Sequence, residues 1–394
     1  MKKNVAIIVQ KLRGGGAERT ASNLSLLLAD EYNVHLIVFD GTDIKYPFAG
    51  QLHDLKIPPA KGKLGKLKNL IARVKAAKEI KKREKIDASI SLMMGANLVN
   101  VMSRQGEKTI TSVRNQMSLA VAKTKKQKIA NKMQMMFIAK CSNFVVALSK
   151  GVEEDLVKNF GVPQSKVVTI YNSCDGAMLA EKASVHALDA AGMTEHCVTT
   201  MGRLNPQKGQ WHLIRAFRKV VDEIPDAKLY ILGQGELEEK LKALTSALNL
   251  DDNIIFLGFV EAPHAYIMKS RVFVFPSLFE GLGNVLLEAM VCGTPCIASD
   301  CFSGPREILS PGTVVKEQVK EIEMAEFGVL VSVGDKGHFN AEEPLTSAEE
   351  QLAESIKLLL TDDGCYKKYQ AAAERRIKDF TPEKITKDWE SILL

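Results

Sequence analysis

Pro276-Ser277-Leu278-Phe279-Glu280-Gly281-Leu282-Gly283-Asn284-Val285-Leu286-Leu287-Glu288-Ala289-Met290 follows directly on the short apolar run Val272–Phe275. A run of valine and phenylalanine stopped by proline reads as a buried strand. The glycines after it mark a loop, and the Leu- and Ala-rich stretch from residue 284 reads as a helix. A strand handing over to a helix through a glycine loop is half of a βαβ unit, and it implies a parallel sheet. Glu280 falls in the loop, and Glu288 about a turn and a half inside the helix. Two carboxylates so spaced reach different parts of one ligand. The glycines leave backbone N–H groups exposed at a helix N-terminus, a natural seat for phosphate. Glu288, set among Val285, Leu286, Leu287, Ala289 and Met290, is costly to bury without partners. Sugar and ribose hydroxyls are suitable donors to it, and a salt bridge is the plain alternative.

The same alternation extends outward in both directions. Strands are expected at 197–201, 228–232, 254–257, 296–298 and 328–331, with helices at 211–223, 237–247, 347–360 and 366–379. Toward the N-terminus strands are expected at 5–9, 34–39, 88–92, 109–113, 144–148 and 167–171, with helices between them beginning at 17–29. Between 172 and 196 the pattern lapses into small and polar residues. The reading is α/β, two Rossmann-like domains, 1–180 and 181–381.

Two further loops carry candidate chemistry. Gly202-Arg203-Leu204-Asn205-Pro206-Gln207-Lys208-Gly209 follows the first strand of the second domain. This places Arg203 and Lys208 at the carboxyl edge of a sheet, where open α/β folds bind ligands. A guanidinium and an ammonium there can grip a diphosphate and neutralise a leaving nucleotide. In the first domain, strand 5–9 runs into Arg13-Gly14-Gly15-Gly16-Ala17-Glu18-Arg19. Glycines let the backbone approach a ligand closely. The spacing G-x-G-x-x-G is absent, which does not favour a nicotinamide dinucleotide.

Taken together, GRLNPQKG, EGLGNVLLE, CGTPCIASD and SGPREIL resemble the GT-B-fold retaining glycosyltransferases of family 4, whose paired glutamates share the seven-residue gap of Glu280 and Glu288. Gly14-Gly15-Gly16-Ala17-Glu18 is similar to the glycine loop of that family. The resemblance implies two domains facing across a cleft, with a last helix, 382–394, crossing back to the N-terminal domain through Trp389. It implies that Arg203 and Lys208 hold the donor's diphosphate with backbone N–H groups of the Gly14–Gly15–Gly16 loop, Leu282 and Gly283. Glu280 would hold hydroxyls of the transferred sugar and act with Arg203 and Lys208 in catalysis. Glu288 would hold the ribose, and the base would stack near Phe259. Asn284 and residues 303–306 are candidates for reading the sugar. The family uses a nucleotide-sugar co-substrate, here expected to be a UDP-sugar, with no cofactor and no metal. No Asp-x-Asp motif is present to chelate a diphosphate-bound cation. One departure concerns the loop after strand 109–113. Many relatives carry a histidine there, and this chain has Arg114-Asn115-Gln116. Arg114 and Asn115 are therefore candidates for contact with donor or acceptor.

Charge is divided unevenly. Residues 1–180 hold 30 Lys+Arg against 14 Asp+Glu, and the remainder 23 against 33, so a net +6 conceals halves of +16 and −10. Such asymmetry points to an anionic partner of the first half. The excess is densest at 56–85 and at 123–140. Leu64, Leu67, Leu70, Ile71 and Val74 recur at helical spacing in the first stretch, and Ile129, Met133, Met136 and Phe137 in the second. Either these stripes face the core and the lysines are solvated, or they form basic amphipathic helices suited to an anionic membrane. A polyprenyl-diphosphate-linked saccharide would combine membrane and phosphate in one acceptor. The basic stretches lack interleaved aromatics, which argues against nucleic acid.

The seven cysteines have no paired C-x-x-C spacing and read as free thiols. The apolar run after Met1 is too short for a signal peptide and no cleavage site follows, so a cytoplasmic protein, peripheral at the membrane, is expected. His53, His186, His212 and His338 are expected at the surface and His35 in a strand, with no evident partner for His196 or His264. The expected activity is transfer of a hexose or N-acetylhexosamine to a glycan or lipid-linked saccharide in surface-polysaccharide assembly. The alternatives are a catalytically silent partner subunit of the same fold and a sugar-nucleotide epimerase.

Overall fold

The computed structural model describes residues 2–118, 124–185, 190, 192–313, 318–335, 337 and 339–393. Lys123, His186, His338 and Leu394 lie outside the described residues. The chain divides into two units, Met1–Ser173 with Pro382–Leu394, and Cys174–Thr381.

In the first unit, strand β1 (Asn4–Val9) leads to helix α1 (Gly16–Leu28), then β2 (Asn33–Val38), β3 (Gln51–Asp54), α2 (Lys63–Arg83) and β4 (Ala88–Leu92). Next come α3 (Met94–Met102), β5 (Lys108–Val113), α4 (Lys125–Cys141), β6 (Phe144–Ala147), α5 (Lys150–Lys158) and β7 (Val167–Thr169). The strands form one parallel sheet in the order β3-β2-β1-β4-β5-β6-β7. Val5, Ile7, Val9, Leu36 and Ile90 are buried in one layer of core, and Ala6, Ile8, Ile37 and Phe39 in another. A parallel strand covered on both faces needs such unbroken apolar runs.

The second unit runs α6 (Gly176–Val185), β8 (Cys197–Met201), α7 (Gln210–Glu223), β9 (Lys228–Leu232), α8 (Glu238–Ala247), β10 (Ile254–Gly258) and α9 (Pro263–Lys269). It continues with β11 (Val272–Phe275), α10 (Asn284–Val291), β12 (Cys296–Ser299), α11 (Pro305–Leu309), β13 (Glu323–Met324) and β14 (Val329–Val331). Helices α12 (Ser347–Thr361) and α13 (Asp363–Arg376) close it. Its sheet order is β10-β9-β8-β11-β12-β14-β13, parallel except for the β13–β14 pair. In each sheet the order reverses beside the first strand, between β1 and β4 and between β8 and β11. That reversal opens a crevice beyond the carboxyl ends of the strands.

Helix α14 (Pro382–Leu393) belongs to the first unit. Ile385, Trp389, Ile392 and Leu393 repeat at helical spacing and are buried with Val5, Ile7, Leu24 and Leu28. Each such burial contributes about 1.5–3 kcal/mol, which holds the last helix on the first sheet's core.

Several expectations need correction. The first unit ends after Ser173, where a boundary at 180 was expected, because α6 packs against α9 and α10 of the second unit. Strands β3 and β13 lie where no apolar run marked them. His53 and His212 are buried. His53 Nε2 lies 3.1 Å from His35 Nδ1 in a stacked pair, and burial pushes both rings below their ordinary pKa. His212 Nδ1 lies 2.8 Å from Glu349 Oε1, which also accepts from Arg215 Nε at 2.9 Å. His196 Nδ1 pairs with Asp226 at 2.8 Å. Among the described residues no helix is long and apolar enough to cross a membrane.

Candidate active site

In the second unit, the loops after β8 and β11 meet at the reversal of strand order. Lys208 Nζ donates to Glu280 Oε1 at 2.6 Å, and both side chains are largely buried. The ammonium also sits 5.0 Å from the centre of the Phe275 ring, at the end of β11. Carboxylate and ring together hold the lysine at the mouth of the crevice. The backbone binds the two loops to each other. Leu278 N donates to Gln207 O at 2.8 Å, and Gln207 Nε2 to Phe279 O at 3.0 Å. Gly209 has φ +60°, and a Cβ there would lie 2.4 Å from Pro276 O. Only glycine allows that approach.

Arg203 is exposed on the same loop, and its backbone carbonyl accepts from Gln210 Nε2 at 3.1 Å. Helix α10 starts from Gly283, at φ +91°, with no side chain capping its first turn. Leu282 and Gly283 donate their amides to no group among the described residues. The Leu282 side chain itself is buried, and Asn284, the first residue of α10, is half-buried. Phe259, just beyond β10, is 80% exposed.

Glu288 points from the second turn of α10 toward α9, and its Oε2 lies 2.9 Å from His264 Nε2. His264 is the site residue that sequence reasoning missed. Its partner is 24 positions away on another helix, and no local pattern signals the pairing. Among the described residues, buried polar atoms without a partner include Asn205 Oδ1, Gln210 Oε1 and Ser277 Oγ, in or beside the loops after β8 and β11, and His264 Nδ1 on α9. Unsatisfied polar atoms are costly, and they concentrate where a structure serves a ligand.

The neighbouring thiols of Cys292 and Cys301 are buried. Burial, with Glu288 nearby, pushes Cys292 up to about 12. Burial, with Glu280 nearby, raises Cys301 well above its ordinary value. All seven cysteines are free. No group of three or more His, Cys, Asp or Glu among the described residues is placed to hold a metal ion.

The first-unit candidates separate. Gly14 and Gly16 are exposed, and Gly15 is the N-cap of α1, again without a side-chain cap. Arg114 is buried and Asn115 exposed. The Arg114 guanidinium donates to Ser112 Oγ at 3.2 Å, to Thr20 Oγ1 at 3.3 Å and to Asn172 Oδ1. No carboxylate among the described residues pairs with it, and burial pushes its pKa down to about 9.

Residues 14–176 match Glycosyltransferase Family 4, and residues 189–326 match Glycosyl transferases group 1. The chain belongs to the glycosyltransferases. Along the whole chain this glycosyltransferase is 29% identical to a Campylobacter jejuni protein, with 98% of each covered. That relative is named N-acetylgalactosamine-N,N'-diacetylbacillosaminyl-diphospho-undecaprenol 4-alpha-N-acetylgalactosaminyltransferase. Over 45% of its length it is 31% identical to 48% of an Escherichia coli UDP-Gal:alpha-D-GlcNAc-diphosphoundecaprenol alpha-1,3-galactosyltransferase. Its fold is that of Anabaena HepE, solved in complex with UDP and glucose, with a TM-score of 0.71, 18% identity and 99% of both chains covered. The architecture is therefore GT-B.

Proposed function

We propose that the protein transfers a hexose or N-acetylhexosamine from a UDP-sugar to a polyprenyl-diphosphate-linked saccharide, with retention at the anomeric carbon and without a metal. The observation that carries this reading is the Lys208–Glu280 pair at the strand-order reversal of the second unit. An ammonium has three N–H donors. Lys208 can thus keep Glu280 in place while it faces a diphosphate, with exposed Arg203 supplying a second positive charge. As the bond from the anomeric carbon to the diphosphate breaks, negative charge grows on the leaving group, and fixed cations there lower the barrier. The uncapped first turn of α10 adds backbone N–H groups for the same anion. Glu280 holds hydroxyls of the transferred sugar, Glu288 those of the ribose, and Phe259 offers a face to the base.

The acceptor class rests on the two relatives whose names carry undecaprenol-linked diphosphates, and on the surface of the first unit. On α2, Leu64, Leu67 and Ile71 are exposed, Leu64 by 84%, beside Lys63, Lys66 and Lys68. On α4, Ile129, Met133, Met136 and Phe137 are exposed beside Lys126, Lys128 and Lys132. Of the α2 stripe only Leu70 and Val74 turn to the core. An apolar stripe bordered by lysines suits an anionic bilayer.

The test offers UDP-glucose, UDP-galactose and their N-acetylated forms, with a chelator and an undecaprenyl-diphosphate-linked saccharide, while UDP release is followed. Acceptor-dependent release in chelator and an α-linked product support the reading. Loss of turnover in chelator, or an inverted product, overturns the corresponding part. Flotation with anionic vesicles that weakens with salt and with Leu64→Ser/Leu67→Ser/Ile71→Ser supports the membrane surface, and salt-independent or absent flotation overturns it.

A further inference from the structure

His264 is buried with one ring nitrogen on Glu288 and, among the described residues, the other without a partner. A neutral imidazole has one N–H. If Nε2 carries it, the ring donates to the Glu288 carboxylate and leaves Nδ1 as a bare acceptor. If Nδ1 carried it, a buried donor would be wasted and two acceptors, Nε2 and Oε2, would face each other at 2.9 Å. The first tautomer is the one the geometry permits.

The helix that carries the ring is fastened to the segment after α10. The His264 backbone carbonyl lies 3.7 Å from the Cys292 thiol, and the carbonyl of Ile267 on the same helix accepts from Thr294 Oγ1 at 2.7 Å. Both partners follow α10, so α9 is fastened to the end of the helix that bears Glu288. Proline at the first position of α9 sets its start.

We infer that His264 is a positioning residue that fixes the rotamer of Glu288, so that the carboxylate meets the two ribose hydroxyls of the donor nucleotide in one preset orientation. The inference rests on the assignment of Glu288 to the ribose. A free glutamate on the second turn of a helix samples several rotamers. Ordering it only when ligand binds would cost affinity that a preset geometry keeps. The chemistry recognised is a vicinal diol on a nucleoside diphosphate.

Calorimetry with UDP, 2′-deoxy-UDP and 3′-deoxy-UDP tests this without knowledge of the sugar or acceptor. The wild type is expected to prefer UDP. His264→Phe, which removes the donor but keeps the ring volume, is expected to weaken UDP about tenfold, the loss of one hydrogen bond to a charged group. It should also bind UDP and the deoxy forms nearly alike. His264→Gln, whose amide nitrogen can occupy the place of Nε2, is expected to restore the preference. His264→Asn, too short to reach Glu288, serves as the second variant should His264→Phe not fold. A wild type indifferent to the hydroxyls overturns the Glu288 assignment and this inference with it. A wild type that discriminates, with His264→Phe or His264→Asn discriminating equally, overturns this inference alone.

Discussion

The two sheets share the order of their first five strands, and both carry a cation at the carboxyl edge, Lys208 largely buried and Arg114 buried, but they treat it in opposite ways. In the second unit Lys208 is matched with Glu280 at 2.6 Å. In the first, Arg114 is surrounded by Ser112, Thr20 and Asn172, all neutral. The first unit does not lack the means to pair a buried cation. Lys81, fully buried, meets Glu107 at 2.6 Å, with Asn100 Oδ1 also at 2.6 Å. A matched pair is a structure at rest, able to give up one partner to a ligand. An unmatched guanidinium carries a desolvation cost that neutral partners only partly offset.

Three substitutions probe that contrast from its strongest side to its weakest. Lys81→Met strands Glu107 in the core and is expected to cost about 3–5 kcal/mol, read as a fall in the denaturant midpoint. Lys208→Met leaves Glu280 near the solvent-facing mouth of the crevice, so the fold should persist while turnover falls about 10²–10³-fold. Equal turnover would mean that the pair is structural. Arg114→Met removes a charge that has no counter-charge, and its Tm is expected to equal or exceed that of the wild type. A clear fall in Tm would show that the neutral hydrogen bonds outweigh the burial cost. A fall in transfer at unchanged Tm would place the guanidinium against a substrate.

The smallest effect is one of pH. Burial holds His35 and His53 below the ordinary histidine value of 6.5. The folded chain thus takes up these protons at lower pH than the unfolded chain. The stability from the neutral pair is complete above 6.5 and is lost as pH falls below it. Tm measured from pH 8 to 5.5 should hold level down to about 6.5 and decline below it, and His53→Gln should flatten the decline.

Much of this was legible in the sequence, for reasons that also explain what was not. Strands such as β1, β8 and β11 are unbroken apolar runs, since both faces of a parallel strand are covered, and glycine-rich loops mark the turns after them. Glu280, Lys208 and Glu288 could be singled out because they stand in those loops or interrupt an apolar helix. Strand β3, Gln-Leu-His-Asp, lies at a sheet edge with one buried side chain, and has no apolar period to detect. His53 and His212 read as surface residues because their polar company in sequence is not their company in space. His264 was invisible for the same reason. The division between the units was placed late because α6 is a small-residue helix whose attachment to α9 and α10 is tertiary.

In the proposed function the second unit's edge, with Glu280 held by Lys208, is a nucleotide-sugar site whose carboxylate acts on the transferred sugar. Glu280→Gln tests it most directly, with donor turnover and UDP affinity measured on the same preparation. A loss of turnover of about 10²–10³-fold with UDP affinity and Tm near those of the wild type is the expected result. Near-normal turnover in Glu280→Gln, or a wild type that binds no nucleotide sugar saturably, would contradict the account.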